Sequence, residues 1–368
     1  MIVGVPREIK NRENRVGMVI AGVRTLTQAG HKVLIQNNAG QGAGISDEDY
    51  RKAGATMVEL AKDIYDRADM IVKVKEPLPE EYPLLREGQI IFTYLHLAAD
   101  ERLTKALMER KIVGIAYETI QMADSSLPVL APMSAVAGRM ATQIGASYLQ
   151  HDHGGKGLLL GGVTGVQRGR VVILGGGVVG VNAAKMAAGL GAKVTIMDVN
   201  SQRLDYLADI FGNEVSTLCS NSEQIEREVI RADLVIGAVL VPGAKAPKLV
   251  SREMIAKMQP GSVIVDVAVD QGGCVETCRP TSHEHPTYTV DGVIHYAVPN
   301  MPGAVPRTST YALTNVTMRY ALMIANMGWR DAVSKDEALL KGVNILNGKV
   351  AYKRVADDLG LPYEPVHV

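Results

Sequence analysis

Short apolar runs recur along the first 120 residues, at 1–5, 32–36, 69–73, 89–94 and 111–117, separated by amphipathic stretches at 21–29, 47–53 and 100–110. The runs are continuously apolar instead of alternating, the pattern of strands buried on both faces of a parallel sheet with helices covering it. A proline-containing connection at 125–132 ends this alternation. A helical pattern then spans 134–151 and runs into a glycine-rich loop at 154–169. A second alternation begins at Arg170, with a strand at 170–174, a helix ending near Leu190, and strands at 193–198, 234–240, 262–269 and 287–290. The helical pattern at 308–326 and the tail cannot complete a dinucleotide fold, so they are expected to return to the first unit. The pattern predicts an α/β protein of two doubly wound, Rossmann-like domains. The first is discontinuous, 1–130 plus 305–368, and the second spans 131–304.

The two halves share landmarks in the same order. Gly30, His31, Lys32 and Val33 answer Gly191, Ala192, Lys193 and Val194; Ala68 and Asp69 answer Ala232 and Asp233; Gly88 to Ile91 answer Gly261 to Ile264. This predicts domains of similar topology, with a cleft between them if their strand ends face each other.

The strand at 170–174 is followed at once by Gly175, Gly176, Gly177, Val178, Val179 and Gly180, then by a helix and a strand ending in Asp198. This is GxGxxG in strand–turn–helix context with an acidic residue at the end of the next strand, the fingerprint of dinucleotide binding. Gly175 allows the tight turn, Gly177 lets a pyrophosphate approach the backbone, and Gly180 permits close helix–strand packing. The anion is expected at the helix N-terminus. Asp198 can accept both adenosine ribose hydroxyls and would repel a 2′-phosphate, so NAD is expected over NADP. Arg203, five residues on, could instead pair with a phosphate.

Composition narrows the class. Lys plus Arg (39) balances Asp plus Glu (39), so no global field favours a polyanion and nucleic acid is not expected as a partner. The longest uncharged stretch, 292–306, is shorter than a bilayer span and is broken by Gly and Pro. No membrane segment or secretory leader is read, and a cytoplasmic protein is expected. Three cysteines, Cys219, Cys274 and Cys278, do not make a disulfide framework. Cys274 and Cys278 lack a second ligand pair, and no metal is predicted.

Several polar residues follow buried strands, where ligands bind in open α/β sheets. The first strand leads into Arg7, Glu8, Lys10, Arg12, Glu13 and Arg15, charges of a kind usually solvated. Lys73 and Lys75 close the strand at 70–73, and a lysine ending a buried strand usually snorkels to water. His96 follows the run at 89–95, and Asp270 follows that at 263–269, just before Gly272 and Gly273.

The segments at 4–6 and 13–16 (Gly-Val-Pro and Glu-Asn-Arg-Val), 74–77 (Val-Lys-Glu-Pro), 94–96 (Tyr-Leu-His), 171–180, 267–270 (Val-Ala-Val-Asp) and 298–302 (Val-Pro-Asn-Met-Pro) resemble the bacterial alanine dehydrogenase family, in order and over essentially the whole chain. The resemblance implies that Arg15 and Lys75 hold the substrate carboxylate and carbonyl, with His96 and Asp270 as the acid/base pair. It implies NAD contacts at Ser134, Val178, Asp198, Arg203, Ser220, Val239, Leu240, Val267, Ala268, Val269, Asp270, Arg279, Val298, Pro299, Asn300 and Met301. The implied reaction is L-alanine, NAD⁺ and water giving pyruvate, ammonium, NADH and a proton, in a homohexamer. One stretch departs from the family's pattern: after Arg15 and Val16 stand Gly17, Met18, Val19 and Ile20, where the family usually carries Ala, an aliphatic residue, Thr or Ser, and Pro.

Two other readings compete. A soluble NAD-binding component of a transhydrogenase shares much of this pattern, and a catalytically silent NAD-sensing module is a rival from another class. Retention of Lys75, His96 and Asp270 together favours the amino acid enzyme.

Overall fold

The computed structural model describes residues 1–239 and 246–367. The chain forms two compact units, Met1–Met133 with Val305–Val368, and Ser134–Ala304. Its strands, in chain order, are β1 (Ile2–Val5), β2 (Lys32–Gln36), β3 (Thr56–Val58), β4 (Met70–Val72), β5 (Ile90–Thr93) and β6 (Val113–Ala116) in the first unit. The second unit holds β7 (Arg170–Leu174), β8 (Lys193–Asp198), β9 (Val215–Cys219), β10 (Leu234–Gly237), β11 (Val263–Asp266), β12 (Thr287–Val290) and β13 (Val293–Tyr296). β14 (Val343–Leu346) and β15 (Lys349–Val350) return to the first.

The first sheet runs β15-β14-β6-β5-β4-β1-β2-β3 and the second β12-β13-β11-β10-β7-β8-β9. From β3 to β6, and from β9 to β13, the order is the same doubly wound one, turning on the first strand of each unit, and these strands are parallel. The fold is α/β with two Rossmann-like units of matching topology.

The repeated landmarks mark equivalent corners. Gly30 and Gly191 have φ of 84° and 81°, and Gly88 and Gly261 have 75° and 79°, all left-handed turns entering a strand. The Asp69 carboxylate accepts the Ile2 N–H at 2.7 Å, and the Asp233 carboxylate accepts the Arg170 N–H at 2.6 Å. Each aspartate thus anchors the start of its unit's first strand.

Local chemistry sets the element ends. Asp100 caps the helix Glu101–Glu109 by accepting the Leu103 N–H, so that helix begins one residue later than its apolar pattern suggests. A Cβ on Gly4 in β1 would lie 2.4 Å from Ile64, so glycine there admits the helix Ala61–Arg67. The expected strand at 262–269 stops at Asp266, whose carboxylate accepts the Ala268 N–H and bends the chain into the 3-10 turn Val267–Gln271. β12 and β13 form a hairpin through Asp291 and Gly292, with φ of 50° and 82°, the tight two-residue turn that Asp-Gly favours. The helix expected at 308–326 runs over Pro306–Lys335, with a non-helical Gly328 inside it. No helix among the described residues is long and apolar enough to cross a membrane.

Candidate functional site

In the first unit the chain emerges from β1, β4 and β5, three adjacent strands, into the segments that bear Arg15, Lys75 and His96. Arg15 is buried, not solvated. Its Nε and Nη2 donate to the two Glu13 carboxylate oxygens at 2.7 and 2.6 Å, and its Nη1 lies 3.3 Å from Met133 Sδ. The two-point pair fixes the plane of the guanidinium. Gly17, at the departure from the family's pattern, passes so close to β4 that a Cβ would sit 2.8 Å from the Val72 carbonyl oxygen.

Lys73 does not snorkel. Its ammonium is fully buried, 3.2 Å from Glu8 and 2.9 Å from Glu81, the latter also taking the Tyr65 hydroxyl at 2.7 Å. Burial alone would favour the neutral amine, but the two carboxylates outweigh it and hold Lys73 above the ordinary lysine range. Glu8 therefore belongs to the interior, and its Oε1 accepts the Val74 N–H at 2.7 Å, fixing the main chain next to Lys75. Lys75 is half-buried. Burial lowers its pKa below the ordinary lysine value, with Arg15 and Lys10 adding to the effect against the opposing pull of Glu76.

His96 is a non-glycine residue in the left-handed region, at φ 51°. Its N–H donates to Glu118 Oε1 at 2.6 Å, its Nδ1 lies 3.9 Å from the same oxygen, and its ring stacks on Tyr94 at 5.7 Å between centroids. Tyr94 is held from its other end by donating to the Val129 carbonyl at 2.8 Å. Such a conformation at a strand's carboxyl end is the kind of strain that surrounding contacts impose where chemistry occurs. Glu118 escaped the sequence reading, although it stands two residues after β6, the next parallel strand, and Glu13 was read only as one of several solvated charges.

In the second unit Gly175, at φ 104°, turns the chain out of β7 into the helix Val178–Gly189. A Cβ on Gly180 would lie 1.9 Å from the Gly175 carbonyl oxygen, whereas one on Gly177 would meet no protein atom within 4 Å. Gly180 thus serves packing, and Gly177 leaves open space beside the unpaired N–H groups of Val178 and Val179 in the helix's first turn. These features fit a dinucleotide's pyrophosphate. Asp198 accepts the Gly176 N–H at 2.7 Å and the Asn200 N–H at 2.9 Å, while Arg203 donates to the Gly176 carbonyl at 2.6 Å and lies over the Tyr206 ring. Arg203 is thereby bound to the turn itself.

Most of the other expected contacts lie just past the carboxyl ends of the strands. Ser220 follows β9 and donates its N–H to Asp198, Val239 follows β10, and Val267, Ala268 and Val269 follow β11. Val298, Pro299, Asn300 and Met301 follow β13, with Asn300 at φ 57°. Val298 and Met301 are buried, so main chain is what they can offer. Arg279 is exposed, its guanidinium stacked on Tyr288, and Ser134 lies in the helix Ala131–Tyr148. Leu240 lies outside the described residues, as does the side chain of Asp270, whose main chain is in the turn Val267–Gln271.

Residues 4–137 match the family described as Alanine dehydrogenase/PNT, N-terminal domain, and residues 141–353 its C-terminal domain. The chain is 63% identical over 366 residues to an alanine dehydrogenase of Methanococcus maripaludis, covering 99% of this chain and 98% of that protein. It superposes on a solved L-alanine dehydrogenase with a TM-score of 0.95 at 56% identity, over 98% of this chain and 99% of the other. A transhydrogenase from Sinorhizobium meliloti gives a TM-score of 0.82 at 25% identity, over 96% and 99% of the two chains.

Proposed function

Because the chain belongs to the alanine dehydrogenase/PNT family, we propose that it catalyses the reversible oxidative deamination of L-alanine to pyruvate and ammonium, with NAD as its nicotinamide cofactor. The observation that carries this reading is identity above half over the full length to alanine dehydrogenases, against 25% to the transhydrogenase.

Arg15, its plane fixed by Glu13, binds the substrate carboxylate, and Lys75 binds the carbonyl oxygen of pyruvate. The nicotinamide, when bound, accepts the hydride that leaves alanine Cα. The substrate is then an iminium, which water attacks at carbon. His96 removes one proton from that water to give the carbinolamine, protonates its nitrogen, and takes up the remaining hydroxyl proton as ammonia leaves and the carbonyl forms, with Asp270 as its partner in proton transfer. Asp198 holds the adenosine ribose and sets NAD over NADP, while Gly175 to Gly180 and the segments at 267–270 and 298–301 supply main-chain contacts to the cofactor. We place the enzyme in the cytoplasm as a homo-oligomer, a hexamer on the family resemblance, a state that sedimentation of the purified chain checks.

The reading is tested by absorbance at 340 nm with alanine, a panel of small amino acids, and either cofactor. Alanine with NAD is expected to give the fastest rise. Asp198→Ala is expected to weaken NAD by about ten- to a hundredfold, the worth of charged hydrogen bonds, and to narrow the preference over NADP. Equal use of both cofactors by the unaltered protein would sink the role given to Asp198.

The lowered pKa of Lys75 gives a second expected result. Its cation is lost at a lower pH than that of an exposed lysine, so the KM for pyruvate is expected to climb on the alkaline side before pH reaches the ordinary lysine value of 10.5. In Lys75→Arg, whose guanidinium stays charged, that rise is expected to vanish. A KM that stays flat in the unaltered enzyme throughout that range would remove Lys75 from carbonyl binding.

A further inference from the structure

The turn after β11 is held from two sides by groups to which no role has been given. On one side stands Asp266, almost wholly buried at the end of the strand. Its Oδ1 accepts the Ala268 N–H at 3.0 Å, and its Oδ2 accepts those of Cys274 at 2.9 Å and Val275 at 3.2 Å. Gly237 and Gly273 make room for this carboxylate, since a Cβ on either would come within 2.7 and 2.6 Å of it. On the other side Lys248 directs its ammonium at three carbonyl oxygens, those of Gly272 at 2.6 Å, Gly273 at 3.0 Å and Val275 at 3.1 Å. An ammonium has three donors, and all three are engaged. Between these clamps the chain reverses through Gly272 and Gly273, at φ 87° and 74°, whose N–H groups return to Val269 and Ala268.

A surface lysine ordinarily keeps its charge in water, because immobilising its long side chain costs rotamer entropy. Lys248 is exposed yet converges on one short segment of main chain. Its charge sits where successive carbonyls in a reversing loop point the same way and would otherwise repel one another. We propose that Lys248 is a positioning residue that, with Asp266, clamps the segment 267–275 and so presents residues 267–270 to the cofactor. This rests on the reading of 267–270 as cofactor contacts. Lys248 touches neither substrate nor cofactor in this account. It acts through the loop, and its effect should appear in NADH affinity and in the solvent protection of Cys274, whose thiol is buried in the clamped segment between two of the carbonyls Lys248 binds.

The test uses the full-length protein with Lys248→Met and Lys248→Arg, titrated with NADH by fluorescence and alkylated with iodoacetamide, with Cys274 followed by peptide mass. Lys248→Met is expected to weaken NADH binding roughly tenfold, from the loss of charge-assisted bonds. It should also speed Cys274 alkylation severalfold, and Lys248→Arg should restore part of both. If neither affinity nor Cys274 protection changes, the clamp is wrong and the cofactor reading stands. If Cys274 becomes reactive while NADH affinity is unmoved, the clamp exists but 267–270 do not contact the cofactor, so that reading falls and the positioning role of Lys248 toward the cofactor falls with it. Should Lys248→Met not fold, Lys248→Gln, which keeps a polar tip of similar reach, is put through the same two measurements.

Discussion

His96→Asn is expected to lower the turnover of alanine oxidation by about two to four orders of magnitude, the usual worth of a positioned acid/base. Asparagine is the informative replacement because it tolerates the left-handed backbone that His96 adopts at φ 51°. Its N–H can still donate to Glu118, so the turn after β5 is preserved. Melting temperature and NADH affinity should therefore stay close to those of the unaltered protein. What is lost is the imidazole, a ring that can both take up and give back a proton, stacked on Tyr94 with its Nδ1 3.9 Å from Glu118 Oε1. Turnover near wild type in this variant would remove His96 from the mechanism, and Asp270→Asn puts the same question to its proposed partner.

Two glycines three residues apart should respond in opposite ways to the same added methyl group. A Cβ on Gly180 would stand 1.9 Å from the Gly175 carbonyl oxygen, and backbone cannot step aside there without moving the helix off the sheet. Gly180→Ala is expected to destabilise the protein by about 1–3 kcal/mol or more, the range for overpacking a filled site, and to lose dinucleotide binding as a result. A Cβ on Gly177 meets nothing in the protein. Gly177→Ala should leave the melting temperature unchanged, or raise it slightly by stiffening the unfolded chain, yet weaken NADH binding by roughly tenfold or more as the methyl group keeps the pyrophosphate from the backbone. Calorimetry and a fluorescence titration on the pair separate the two roles. Equal NADH affinity for Gly177→Ala and the unaltered protein would show that the pyrophosphate lies elsewhere.

The sequence revealed the fold where elements are long and locally uniform. The apolar runs of β1, β2, β5, β7 and β8 and the glycine turn after β7 need no distant partner to be read. β3, of three residues, and β14 and β15, with Asn344 and Lys349 among their few residues, carry too little pattern to stand out, and each exists because a neighbouring strand pairs with it. In the candidate site, the family resemblance singled out Arg15, Lys75 and His96, which by position alone were only polar residues after buried strands, and their surroundings were not legible. Lys73 was expected to reach water because a local rule cannot foresee that Glu8 and Glu81 will meet it inside. Glu13 looked like one more solvated charge in a charged loop until it met Arg15 in the interior.

The first sheet is finished by residues that follow the whole second unit along the chain. β14 lies against β6, and without it β6 would present an open edge. The second unit is continuous in sequence, so during synthesis it can gather all its contacts while the first still lacks two strands and the long helix that precedes them. Nascent chains thus carry an unfinished parallel sheet for the whole time the dinucleotide unit is being made. That interval is when pairing with another chain is most dangerous, and it ends only when residues 343–346 leave the ribosome.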